Sequence, residues 1–282
     1  MALDEDTLKK VSLGAAVLGV SVMVSLIVGI SIGLCHLYKY AKFRFILVLI
    51  LLMVCSDTSL GCLAVCFYLE DQVTQQNLVL IVAICVAIFT FLFNFCNITL
   101  HWLFSMKYWM VSREVPRLFE ADRHIKFNEQ GYKVANTIGI ILIIPICLIA
   151  AAFRGDLAYK SAGGQTVSDG LIFTVQLLLW IINGLELITT LVLADALRRI
   201  NNSVKENPFL EANRKVMCLH ITMSLMHICS YSATVFFAIR TYKDPGNLDH
   251  ELESNIARML LYIFTGAVQG IMIYLIFQFD GN

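Results

Sequence analysis

Seven apolar runs, each long enough to cross a lipid bilayer, constrain this chain more than any other feature of its sequence. A crossing takes about 20 predominantly apolar residues, because in hydrocarbon a segment has to satisfy its own backbone polar groups. The runs fall near residues 11–35, 45–69, 78–104, 134–153, 171–194, 216–239 and 259–279. Between them little polar sequence remains: 58% of the 282 residues are hydrophobic and 15% are charged. With a mean hydropathy of +0.74, the apolar excess has to face lipid. The expected fold is an all-α integral membrane bundle of seven transmembrane helices, one domain over residues 1–282 with no soluble domain. The leading MALDEDTLKK is acidic before it is basic, and the apolar run behind it is too long for the core of a cleavable signal. The first span is therefore expected to stay as an anchor.

Charge in the connections sets the expected orientation. The connections after the first, third and fifth runs carry 14 Lys and Arg, against 7 on the opposite side. Basic connections are retained in the cytoplasm, which puts the amino terminus outside and the carboxyl terminus in the cytoplasm. Lys9 and Lys10 pull the other way and are outvoted. Of the two sequons, Asn97-Ile-Thr99 then lies inside the membrane and Asn201-Asn202-Ser203 in the cytoplasm, so neither is expected to carry glycan. A plasma membrane is expected before an internal one.

Formal net charge is zero, which speaks against a nucleic-acid partner. The nine cysteines sit mostly inside apolar runs with no CxxC pair, the usage of small apolar residues; a bridge from Cys62 or Cys66 to Cys85 is the one conceivable disulfide. No phosphate-binding glycine loop, GxSxG elbow or HExxH occurs. The chain is therefore not expected to be an enzyme. A metal site of His101, Asp57 and His227 can be drawn, but no helix carries the paired histidines such a site prefers.

Polar residues inside the spans carry the functional information. In the third run Asn94, Asn97, His101, Ser105, Tyr108 and Ser112 are offset by 0, 3, 7, 11, 14 and 18; at about 100° per residue they make one continuous stripe. A helix with one polar face amid lipid turns that face inward. The fifth run repeats the pattern with Gln176, Asn183, Glu186 and Thr190, and the sixth with His220, Ser224, His227, Tyr231 and Thr234. Asp57 lies at the middle of the second run, where a carboxylate costs a few kcal/mol or more unless it is paired, hydrated or protonated. Gln269 adds a polar group from the seventh. Asp57, Asn94, Asn183, His227 and Gln269 all fall within about a turn of mid-span, with Asn97, His101 and Glu186 close below. These eight are the candidate ligand or ion residues, on the assumption that their faces converge.

Four further features carry expectations. Ser21, Ser25, Gly29 and Gly33 recur every four residues on the first run, a seam for a neighbouring helix or for a second copy. Pro145 is expected to kink the fourth span. The segment RGDLAYKSAGGQTVSDG reads as a mobile outer loop. Arg113, Pro116 and Arg117 are expected to break the third helix into an amphipathic surface segment containing Arg123 and Lys126. With Arg198 and Arg199 after the fifth span, these arginines and Lys126 form the candidate surface for coupling to a cytoplasmic signalling protein or to the membrane.

Seven spans with an outside amino terminus resemble, in shape, the G-protein-coupled receptors and the microbial rhodopsins. Asp57 matches the position of the receptors' sodium-site aspartate. The resemblance ends there. Ser112-Arg113-Glu114 stands where many receptors have an acidic-Arg-aromatic triplet, the seventh span lacks Asn-Pro-x-x-Tyr, and no lysine follows Lys243 to form a retinal Schiff base. No cofactor is expected. The leading expectation is a receptor-like signalling protein that binds a small ligand among spans 3, 5, 6 and 7 and couples through residues 105–133 and 194–215. A proton or ion channel or transporter using Asp57, Glu186 and His227 is the second, and a structural membrane subunit the third.

Overall fold

The computed structural model describes residues 5–37, 43–73, 75–120, 129–203, 208–244 and 247–280. Within them the chain is all-helical, in seven helices: α1 (Glu5–Leu37), α2 (Phe43–Gln72), α3 (Gln76–Glu120), α4 (Glu129–Ala162), α5 (Asp169–Ser203), α6 (Pro208–Lys243) and α7 (Leu248–Asp280). All seven are long and apolar enough to cross a membrane. Even the shortest, α2 with 30 residues, is about 45 Å long against a hydrocarbon core of about 30 Å. The helices therefore project beyond the apolar runs that announced them.

That projection corrects two expectations. The fourth helix does not stop at Phe153 but continues through Arg154, Gly155 and Asp156 to Ala162. Leu157 and Ala158 are buried, and Gly155 lies against Ala83 and Ala87 of α3. Packing thus holds as helix a stretch that composition alone marked as loop. The third helix, likewise, does not break at Arg113–Arg117; it runs unbroken through Pro116 to Glu120, 45 residues in all. Proline removes one hydrogen bond but has a helical φ, and one lost bond does not end a helix packed along most of its length. Pro145 sits inside α4, which is also continuous.

The burial pattern is that of a membrane protein. Large apolar side chains are turned outward, among them Val17, Val24, Val28 and Ile32 on α1 and Ile138, Ile141 and Leu142 on α4, while Asp57, His101, His220, Glu186 and Gln269 are buried. In lipid the outward surface is ordinary; every inward polar group needs a partner. Helix α3 is central, packed on α2, α4 and α5, while α1 closes against α2 and α7 and α6 fits between α5 and α7.

Side-chain contacts fix the two ends. At one, Ser12 and Arg258 both reach Asp71 (3.3 and 3.2 Å) and Arg154 pairs with Glu70 at 3.0 Å. This places the start of α1 and α7 with the ends of α2 and α4. At the other, Phe45 meets Tyr132 and Lys107 lies over the Phe45 ring, joining the start of α2 and α4 to the end of α3. We call these the amino-terminal and carboxyl-terminal faces.

The four-residue stripe on α1 is not the seam it was expected to be. Ser21 and Ser25 are exposed, their hydroxyls donating to Val17 and Ser21 carbonyls, and a Cβ at Gly29 would meet nothing. Gly33 alone of the four is covered, by the Phe277 ring. The real seam is one step round the helix: Gly19 against Ala64 of α2, then Leu26 and Ile30 in the main core. Bulk decided the face, since burying leucine and isoleucine removes more apolar area than burying serine and glycine.

Candidate functional site

The inward stripe of α3 holds as its period required: Asn94, Asn97, His101, Ser105, Tyr108 and Ser112 are all buried. What lies opposite could not be read from α3 itself. Glu186 of α5 accepts a hydrogen bond from Asn97 Nδ2 on Oε2 at 2.8 Å. Gln269 of α7 donates to the other end of the same amide, Asn97 Oδ1. On the far side of the carboxylate, Glu186 Oε1 stands 3.7 Å from His227 Nδ1 and 4.0 Å from His101 Nε2. The His101 ring stacks on His220 of α6 with centroids 5.7 Å apart. Helices α3, α5 and α6 therefore meet on one carboxylate that is only 3% exposed, and α7 joins them through Asn97.

Local helix geometry explains the convergence. On α6, His220, Ser224 and His227 at spacings of four and three present one face to the interior, and all three are buried. On α5, Thr189 Oγ1 donates to the Glu186 carbonyl, while Ser105 Oγ donates to the Thr189 carbonyl from α3. That crossing bond sets the height of α5 against α3, so Glu186 lies level with Asn97 and His101.

The network is not saturated. Glu186 Oε1, Gln269 Oε1, both ring nitrogens of His101 and of His220, and the hydroxyls of Ser224 and Thr190 are buried without a hydrogen-bond partner. Buried polar atoms in that state cost about 1–3 kcal/mol each. So many of them together set this centre apart from the apolar packing around it.

Five of the eight candidates thus come together: Asn97, His101, Glu186, His227 and Gln269. Three do not. Asn183 turns back to its own helix, donating to the Leu179 carbonyl. Asn94 is buried, but no hydrogen bond joins it to the network. Asp57 is fully buried with both carboxylate oxygens unpartnered, and it does not join His101 and His227. The three-residue metal site drawn from sequence is not assembled, and among the described residues no group of His, Cys, Asp and Glu is placed to hold a metal ion. His220 belongs in the set and was passed over because it lies nearer the end of its span. Its place on the His227 face was the available signal.

A second feature opens on the amino-terminal face. A cavity of about 650 Å³ is lined by Glu5, Ser12, Asp71, Glu251 and Arg258 together with residues at the end of α4 and α6. Helices α6 and α7 contribute to it and also to the buried network. Helix α3, expected to line a ligand pocket, does not reach it, nor do α5 residues from Asp169 onward.

At the opposite face, Arg113 lies over the Trp109 ring, 3.7 Å from its centroid. Arg198 is exposed and Arg199 pairs with Asp195 on its own helix. The side chain of Arg117 lies outside the described residues, as do Arg123 and Lys126. All nine cysteines are free, so no bridge from Cys62 or Cys66 to Cys85 forms. Comparison with known proteins adds no relative: no family model matches the chain, and no curated protein matches it.

Proposed function

We propose that this chain is a seven-helix, receptor-like signalling protein, with its amino terminus outside and its carboxyl terminus in the cytoplasm of a plasma membrane. The carrying observation is the buried carboxylate centre in which Glu186 joins α5 to α3 and α6, with α7 tied in through Gln269 on Asn97. A buried polar network with spare donors and acceptors has more than one arrangement of similar energy, and a ligand that favours one arrangement shifts the helices that carry it. A small ligand enters the cavity at the amino-terminal face. From there α6 and α7 lead directly to His227 and Gln269. The output surface is the opposite face, residues 105–133 and 194–215, where Arg113, Arg198 and Arg199 stand and to which Arg117, Arg123 and Lys126 belong by sequence. Self-association, if it accompanies signalling, uses the lipid-facing Ser21, Ser25 and Gly29; energy transfer between labelled copies that Ser25→Leu leaves unchanged removes that surface from the account.

One observation favours a second reading, an ion or proton channel or transporter: the unpartnered nitrogens of His101 and His220 extend the polar centre along the helix axes. Flux in proteoliposomes separates the two. The receptor reading expects proton and cation flux no greater than in protein-free vesicles under any gradient or potential. Flux in the wild type that disappears in Glu186→Gln or Asp57→Asn, with folding intact, overturns it in favour of transport.

A further inference from the structure

The buried centre has a charge problem that its geometry addresses. Glu186 is the one acidic side chain in the cluster, 3% exposed and at membrane depth. An ionised carboxylate there with three neutral histidines leaves a bare negative charge, which hydrocarbon penalises heavily. One added proton neutralises the group, and it has several seats: the Glu186 carboxyl, His227 at 3.7 Å, or His101 at 4.0 Å. Asn97 holds the opposite oxygen of the carboxylate and is itself held by Gln269, and neither amide titrates. From α4, Cys147 packs with Ile182 of α5. From α2, the buried acid Asp57 has no hydrogen-bond partner on either oxygen and so is not joined to Glu186. The histidines of α3 and α6 are therefore the groups that share the proton.

The cluster is also asymmetric along the membrane normal. From Glu186 the polar chain descends through His101 to His220, whose rings are stacked. His220 is six residues from exposed Arg214, about 9 Å along α6. Toward the amino-terminal face, Leu60 and Ala64 of α2, Phe93 of α3 and Tyr262 of α7 pack together, an aromatic and aliphatic layer on the α2–α3–α7 side.

We propose that the Glu186–His101–His227 cluster is a proton-binding site that exchanges with the carboxyl-terminal face through His220. A proton entering from the carboxyl-terminal face reaches an unpartnered nitrogen of the buried His220, passes to His101 and comes to rest between His227 and Glu186. Only N–H and O–H bonds are made and broken, and the gaps of 3.7 and 4.0 Å close to hydrogen-bond length with a small side-chain adjustment. The inference rests on the same buried centre as the receptor reading but requires neither a ligand nor a signalling partner, so the two fail separately.

The test is infrared difference spectroscopy of the full chain in vesicles of uniform orientation, following the carboxyl C=O stretch assigned by its loss in Glu186→Gln. A pH step on the carboxyl-terminal face is expected to change that band or the histidine ring bands of His101 and His227. The same step on the amino-terminal face is expected to leave them unchanged. His220→Asn, or His220→Gln where the first fails to fold, should slow the response at least tenfold without removing it. Bands that do not respond to pH at either face overturn the proposal. So does an equal response from both faces, or a response from the carboxyl-terminal face that neither His220 variant slows.

Discussion

The Asn97 side chain does two things that no neighbour can replace: its NH2 group holds Glu186 and its oxygen holds Gln269. Asn97→Leu therefore strands one polar group on each of two other helices. A double-mutant cycle between Asn97→Ala and Glu186→Leu, read from reversible unfolding in mixed micelles, should give a coupling of about 0.6 kcal/mol and at most about 1.7, the range of hydrogen bonds inside membranes. A coupling indistinguishable from zero removes the bond from the account. Asn183 is the control, since its amide is satisfied within α5; Asn183→Ala should change stability by no more than about 0.5 kcal/mol. The contrast shows what sequence reveals at this scale. The period of α3 exposed which residues share a face, but Asn183 and Asn97 have the same residue type and similar depth, and only the rotation of α5 decides that one bonds its own helix and the other a partner.

Helix contacts divide the glycines of α1 in a way that composition does not. A Cβ at Gly19 would collide with the rigid Cβ of Ala64, whereas one at Gly29 would meet nothing within 4 Å. Gly19→Ala should destabilise the bundle by about 1–3 kcal/mol, the ordinary penalty for overpacking. Gly29→Ala should be neutral or slightly stabilising, because alanine is the better helix former. Thermal unfolding of the two variants side by side checks both, and equal shifts contradict the assigned rotation of α1. Hydropathy located the seven spans because lipid demands long apolar runs. It missed the outer turns of α4 and α7, where Leu157, Ala158, Ser254 and Asn255 are buried among charged residues. In those turns helix is stabilised by packing and by ion pairs such as Arg154–Glu70, neither of which an apolar average registers. Pro116 misled for the opposite reason, a local breaker at a position where the helix runs on.

The whole molecule is a polar seam inside an apolar shell, with a cavity at one face and a basic surface at the other. Orientation is the first property to follow. A glycan should attach to an acceptor sequon engineered after Gly164, between α4 and α5, and none should attach at Asn201; the reverse pattern inverts the molecule and exchanges input and output faces. The faces of α3, α5, α6 and α7 were each legible from period alone, yet their meeting at Glu186 depends on the order of helices around α3, which no single span encodes. Signalling through this centre requires that the meeting point have two arrangements. The most direct measurement is the distance distribution between spin labels at Arg113 of α3 and Arg214 of α6, on a background with the lipid-exposed cysteines replaced. Two populated distances, redistributed by Glu186→Gln and by Asn97→Ala, are the predicted result. A single distance that neither substitution changes would mean that the buried centre only holds the helices together.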